Sequence, residues 1–196
     1  MTDIKHKVFD HTKKIEGRQL ASIFDMRSKQ AMNVEREILE FLKYSADERT
    51  KRWNEYQQMV KEMNRFKVRE YLATNIVVTV GRSVIAQRLA NILTYTGVIN
   101  YGALGSSSTA VNNSDIKLGT EVFRKIVAST SFTTNVAFID FFYSKADTNG
   151  TYQEFGSFID GTGTVDTGQL FSHVLTGGWI KASSESMTVS CQYTQN

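Results

Sequence analysis

Only one of the thirteen glycines, Gly17, lies before residue 76, and the 196-residue chain contains no proline. Glycine and proline are the strongest interruptions of regular structure. The first 75 residues therefore have almost nothing to break a helix, whereas the remainder has turn-formers throughout. Charge divides the same way. Residues 1–75 carry sixteen Lys/Arg and twelve Asp/Glu, a net of +4, and residues 76–196 carry seven and eight, a net of −1. Such a change in composition marks a domain boundary, placed here near Thr74-Asn75. The expectation is an α+β chain: an N-terminal helical segment, 1–74, followed by an antiparallel β-sandwich-like domain, 75–196.

Within the first segment, Ile15 to Tyr44 holds Leu20, Ile23, Phe24, Val34, Ile38, Leu39, Phe41 and Leu42 at helical spacing, read as one or two helices. Ser45-Ala46-Asp47-Glu48 fits a capping box, in which side chain and backbone amide of Ser45 and Glu48 bond reciprocally. From there an uninterrupted helix is expected to about Ala73, a rod of roughly 40 Å at 1.5 Å per residue. Trp53, Tyr56, Val60 and Met63 form an apolar seam along it. So charged a segment buries little core of its own. The seam is accordingly expected to need a second surface, either the C-terminal domain or another molecule, and is the candidate oligomer or docking seam.

The second segment opens with the β-branched run Asn75 to Val80. A short helix over 82–96 follows, with Gly97 at its end. Two-residue alternation then dominates, through 122–129 and 135–143, with an Asn149-Gly150 turn that tolerates positive φ. Leu170–Leu175 and Met187–Tyr193 complete six or seven strands, the spacing expected of a β-sandwich. The long loop 105–115 is a candidate contact surface, through Ser106, Ser107, Ser108, Asn112 and Asn113.

No chemical constellation is evident. His6 and His11 are five apart, off the spacing that stacks side chains on one helix face. His173 stands in a strand without a His or Cys partner and reads as a core or surface histidine. Cys191 reads as a small buried hydrophobe, and one cysteine makes neither a disulfide nor a thiolate cage. The Gly102–Ser108 stretch lacks the Gly-Lys-Ser/Thr ending of a phosphate loop. Asp147-Thr148-Asn149-Gly150 has Phe158 where a calcium loop needs its bidentate Glu. Asp140, Glu154 and Asp160 are the carboxylates a sheet could bring together for acid–base work. The basic residues of the first segment are diluted by acids, which disfavours a phosphate-binding stripe. No run approaches the ~20 apolar residues of a spanning helix, and Met1 to Lys7 reads as a charged helix start rather than a signal core. The expectation is a non-enzyme without cofactor or metal.

Several short pieces nevertheless occur in a suggestive order. Tyr101-Gly102-Ala103-Leu104-Gly105 leads into a Ser/Thr loop, then Ser114-Asp115, Leu118, Glu121-Val122 and Arg124. Glu154-Phe155-Gly156-Ser157-Phe158, Gly168 to Val174 and Ser184 to Val189 follow. Over about residues 80–194 the chain resembles a β-rich domain of tailed-bacteriophage structural proteins, with Met187 where that domain usually has Leu. The resemblance implies a virion component of the tail, neck or fibre-attachment region, assembled in the host cytoplasm. Its implied partners are other virion proteins and copies of itself (trimer, hexamer or dodecamer). A head decoration or cement protein is the alternative within that class. A carbohydrate- or surface-binding module, stacking sugars on Tyr101, Tyr143, Tyr152 or Trp179, is the alternative outside it.

Overall fold

The computed structural model describes residues 15–195. Eight antiparallel strands close into a barrel: β1 (Ile15–Asp25), β2 (Lys67–Val77), β3 (Ile99–Gly105), β4 (Glu121–Thr133), β5 (Val136–Tyr143), β6 (Gly150–Ile159), β7 (Gln169–Lys181) and β8 (Glu185–Gln195). Their order around the wall is β1-β2-β7-β6-β3-β4-β5-β8. The helices are α1 (Lys29–Phe41), α2 (Ala46–Lys51), α3 (Trp53–Met63) and α4 (Thr79–Leu89).

This overturns the expected sandwich behind a helical segment. Residues 15–25 and 67–77 are barrel strands, and α1–α3 are an insertion between them. The reason lies in burial. Ile23 faces the barrel interior while its neighbour Phe24 packs against the helices outside. A strand covered on both faces loses its two-residue alternation, and its apolar run then imitates a helix. In β2 the inward residues Tyr71, Ala73 and Asn75 do alternate with outward ones. Exposed Leu72 and Val68 on the outer wall disguised that alternation as helical spacing.

Registers are long where the wall is strongest. β1 pairs with β8 from Ile15↔Gln195 to Asp25↔Glu185, whereas β2 meets β7 only at Ile76↔His173 and Val77↔Ser172. The interior is filled rather than hollow, as an eight-stranded barrel allows. Phe155 lies between Phe141 and Trp179, with ring centroids 5.7 and 5.8 Å away, and Tyr143 donates its hydroxyl to the Gly102 carbonyl at 3.0 Å.

The helices cover the outer wall. Ala31, Ile38, Phe41, Tyr56 and Met63 form a second core with Phe24, Met26, Ala128 and Phe142. Buried Glu35 ties α1 to the barrel, accepting from the Lys145 amide at 2.7 Å and from the Ser186 hydroxyl. The capping box is present, with Glu48 N donating to Ser45 Oγ at 3.3 Å and Ser45 N to Glu48 Oε2 at 3.0 Å. The helix it starts is short, however, because Arg52 leaves helical geometry (φ −101°, ψ 24°). The expected rod is therefore two helices and a strand. The helix expected over 82–96 spans 79–89 and ends in a turn with Asn91 at φ 58°.

Candidate functional site

Loop 106–120 leaves β3 and folds back over the outer face of β6 and β7, where a single carboxylate holds it. Glu154 is fully buried. Its Oε1 accepts from the amides of Thr120 at 2.8 Å and Ser107 at 3.2 Å. Its Oε2 accepts from Gly119 N at 2.9 Å and meets His173 Nε2 at 2.9 Å. The other ring nitrogen, Nδ1, lies 2.8 Å from Asp115 Oδ2, which also accepts from Asn112 N at 2.7 Å. Both ends of the loop are thus tied to one strand residue, and its middle to the neighbouring strand.

Local sequence makes this approach possible. A Cβ on Gly105 would stand 2.4 Å from Glu154 Oε1, and one on Gly156 would stand 2.8 Å from a Leu118 methyl. Glycine at both positions lets the carboxylate and the loop leucine come close. Leu118 then packs with Ala103, Phe158, Leu170 and Val78 in a third small core.

Beside it, buried Arg124 is held by Glu121, with Nε to Oε1 at 2.5 Å and Nη2 to Oε2 at 2.7 Å. Its Nη1 donates to the Thr162 and Thr167 carbonyls at 3.0 Å. Its guanidinium lies 4.8 Å above the Phe158 ring. A buried ion pair satisfied on all sides fixes shape more than it adds stability.

The contacts of the cluster hold the loop to the wall. Each nitrogen of His173 is occupied by a carboxylate oxygen, which requires a proton on both nitrogens or on one of the carboxyls. Ser107 Oγ is bonded to Thr109 Oγ1 at 3.0 Å rather than to the histidine. Acyl-transfer chemistry needs a nucleophile within hydrogen-bond reach of its base, and the partners of His173 are Asp115 and Glu154. Among the described residues no group of three or more His, Cys, Asp or Glu is placed to hold a metal ion.

The other singled-out residues scatter. Asp140 lies on the opposite wall under α3 and accepts from Gln57 Nε2 at 2.8 Å. Burial raises its carboxyl to about 6. Asp160 accepts from Thr96 N at 2.8 Å at the far end of the barrel. The three carboxylates considered as an acid–base set therefore occupy three separate places. Cys191 is buried inside the barrel, which pushes its thiol well above the usual range. Asp147 accepts from Ser144 N at 2.7 Å and from Lys125 Nζ at 2.8 Å, closing a turn. His6 and His11 lie outside the described residues.

Half of the docking seam is buried within the chain. Tyr56 and Met63 are fully buried against the barrel, whereas Val60 packs beside them half-buried and Trp53, also half-buried, meets Phe138 in a tilted pair with centroids 6.4 Å apart. Of the possible sugar-stacking residues, Tyr143, Tyr152 and Trp179 are buried, and Tyr101 lies under Arg124. In the contact loop, Ser106, Ser108, Asn112 and Asn113 are exposed and Ser107 half-buried. Asn113 is fixed in place, its carbonyl accepting from Thr79 N at 2.8 Å.

Sequence reasoning did not find the Asp115–His173–Glu154 chain, whose members lie 58 and 19 residues apart. Only the order of the short motifs pointed toward it. No helix among the described residues is long and apolar enough to cross a membrane. No protein-family model matches the chain, and neither a curated protein nor a solved structure does.

Proposed function

We propose that the chain is a structural component of a tailed-phage virion, in the tail, neck or fibre-attachment region, working by docking to other virion proteins. One observation supports this reading. Of the residues that carry the resemblance to phage structural domains, Gly105, Asp115, Leu118, Glu154, Gly156 and Phe158 converge on one cluster that holds the 106–120 loop in shape, and Glu121 and Arg124 stand beside it and hold the 162–167 turn. The 106–120 loop offers Ser106, Ser108, Asn112 and the exposed apolar Ile116 to the outside. A surface ordered before contact loses little conformational freedom on docking, as a particle built from many repeated contacts requires.

The test is the composition of gradient-purified particles from cells producing the chain. Mass spectrometry is expected to find it at a fixed copy number, and a labelled antibody is expected to mark the tail or neck. Its absence from purified particles would overturn the proposal, and labelling spread over the head would move it to decoration.

A further inference from the structure

At the end of the barrel where β2 passes into α4, an apolar groove of about 270 Å³ opens between α4, residues 97–99 and the β4–β5 hairpin. Ile85 lines one side, Phe138 and Ile139 the other, and Phe171 and Tyr193 also contribute. Large apolar side chains stand in water on α4, on the segment that follows it and on the hairpin. Leu89 is 85% exposed, Phe132 80%, Leu93 64%, Val98 58% and Ile92 50%. Leu89 follows Ile85 by one helical turn and shares its face. Phe132 pairs with Ala137, a groove residue, so both point to the same side of the hairpin.

We infer that a second copy of this chain covers this end of the barrel, each copy placing Phe132 in the other's groove. Knob and hole lie side by side on one surface, the arrangement that a two-fold axis makes self-complementary. The groove is smaller than the roughly 300–1,000 Å³ that receives a whole small ligand, and it suits single side chains. The five exposed residues leave on the order of 600 Å² of apolar surface in water, the upper end of what monomers carry. Two such patches together approach the roughly 1,200 Å² at which specific interfaces begin. Arg88, a charged side chain beside the groove, lies over Gly97 and directs Nη1 to the Tyr95 carbonyl at 3.5 Å, away from its counterpart on a second copy. This inference rests on the groove alone and not on the virion reading.

Sedimentation of the full chain at about 10–200 µM tests it. The expected mass is twice the 22.1 kDa of one chain. Phe132→Asp and Leu89→Asp are each expected to weaken the dimer by about 30-fold or more, as loss of an interface anchor does. Their circular dichroism should stay unchanged, because both side chains already face water. Leu72→Asp, at another exposed leucine (73%) on the β2 wall, should leave the dimer intact. A monomer at the highest concentration would overturn the inference. So would a dimer that survives Phe132→Asp, or one that Leu72→Asp disrupts equally.

Discussion

His173 Nε2 lies 2.9 Å from Glu154 Oε2, and that contact joins two strands and a loop through one buried carboxylate. Removing the acid strands the ring nitrogen together with the three loop amides that Glu154 accepts. Glu154→Ala is expected to cost about 3 kcal/mol or more, because each buried donor left without its acceptor costs about 1–3 kcal/mol. Glu154→Gln keeps the shape but turns an NH2 toward donors, at about 1–3 kcal/mol. Urea unfolding measures both. If Glu154→Ala is as stable as the parent, the carboxylate does not hold the loop.

Asp140 gives the fold a pH dependence with a definite sign. Burial under α3 raises its folded pKa to about 6 from an ordinary 3.8. The proton is bound more tightly in the folded state, so the stabilisation is full below about pH 4 and is lost as pH rises through about 6. Asp140→Asn should remove this group's part of the slope and gain on the order of 2–3 kcal/mol at pH 8. Parallel slopes for parent and variant between pH 4 and 7 would show that Asp140 does not titrate this way.

The helical cap is an intrachain feature, and mutation can separate that from assembly. Met63 is fully buried beside Tyr56 and Phe142. Met63→Ala should cost about 2–5 kcal/mol through the cavity it leaves, and the loss should be the same at every protein concentration. A deficit that disappears on concentrating the protein would return the seam to an interface between copies.

The burial of that seam also shows what was legible in the sequence. The turn expected at Asn149-Gly150 is not formed: the chain turns earlier, with Asp147 N donating to the Ser144 carbonyl, Gly150 already opens β6, and β5 and β6 are not neighbours in the wall. Short-range signals survived elsewhere: the Ser45–Glu48 capping box and the alternation of Phe138, Asp140 and Phe142 against Ile139, Phe141 and Tyr143. These depend on residues a few positions apart. Ile23 and Phe24 misled because adjacent residues are buried on opposite faces by different partners, one by the barrel and one by α1–α3. Nothing local in residues 15–25 announces a pairing with 185–195, so barrel closure was invisible. The site had the same limit. Glu154-x-Gly156-x-Phe158 was visible as a pattern, but its purpose depends on Asp115 and His173, which only the fold brings together.

Cys191 offers a final check on the closed interior. Its side chain is 1% exposed, paired across β1 and β5 with Gln19 and Ile139, and burial holds the thiol in its neutral form. Reaction with a thiol reagent requires the thiolate and access to it. Labelling of the native chain should therefore proceed only through opening of the barrel, at a rate that rises with urea in step with unfolding. In denaturant the same thiol should react at once. Rapid, stoichiometric labelling of the native protein would mean that the wall opens freely, and the short β2–β7 register, with only Ile76↔His173 and Val77↔Ser172 paired, is where that opening would begin.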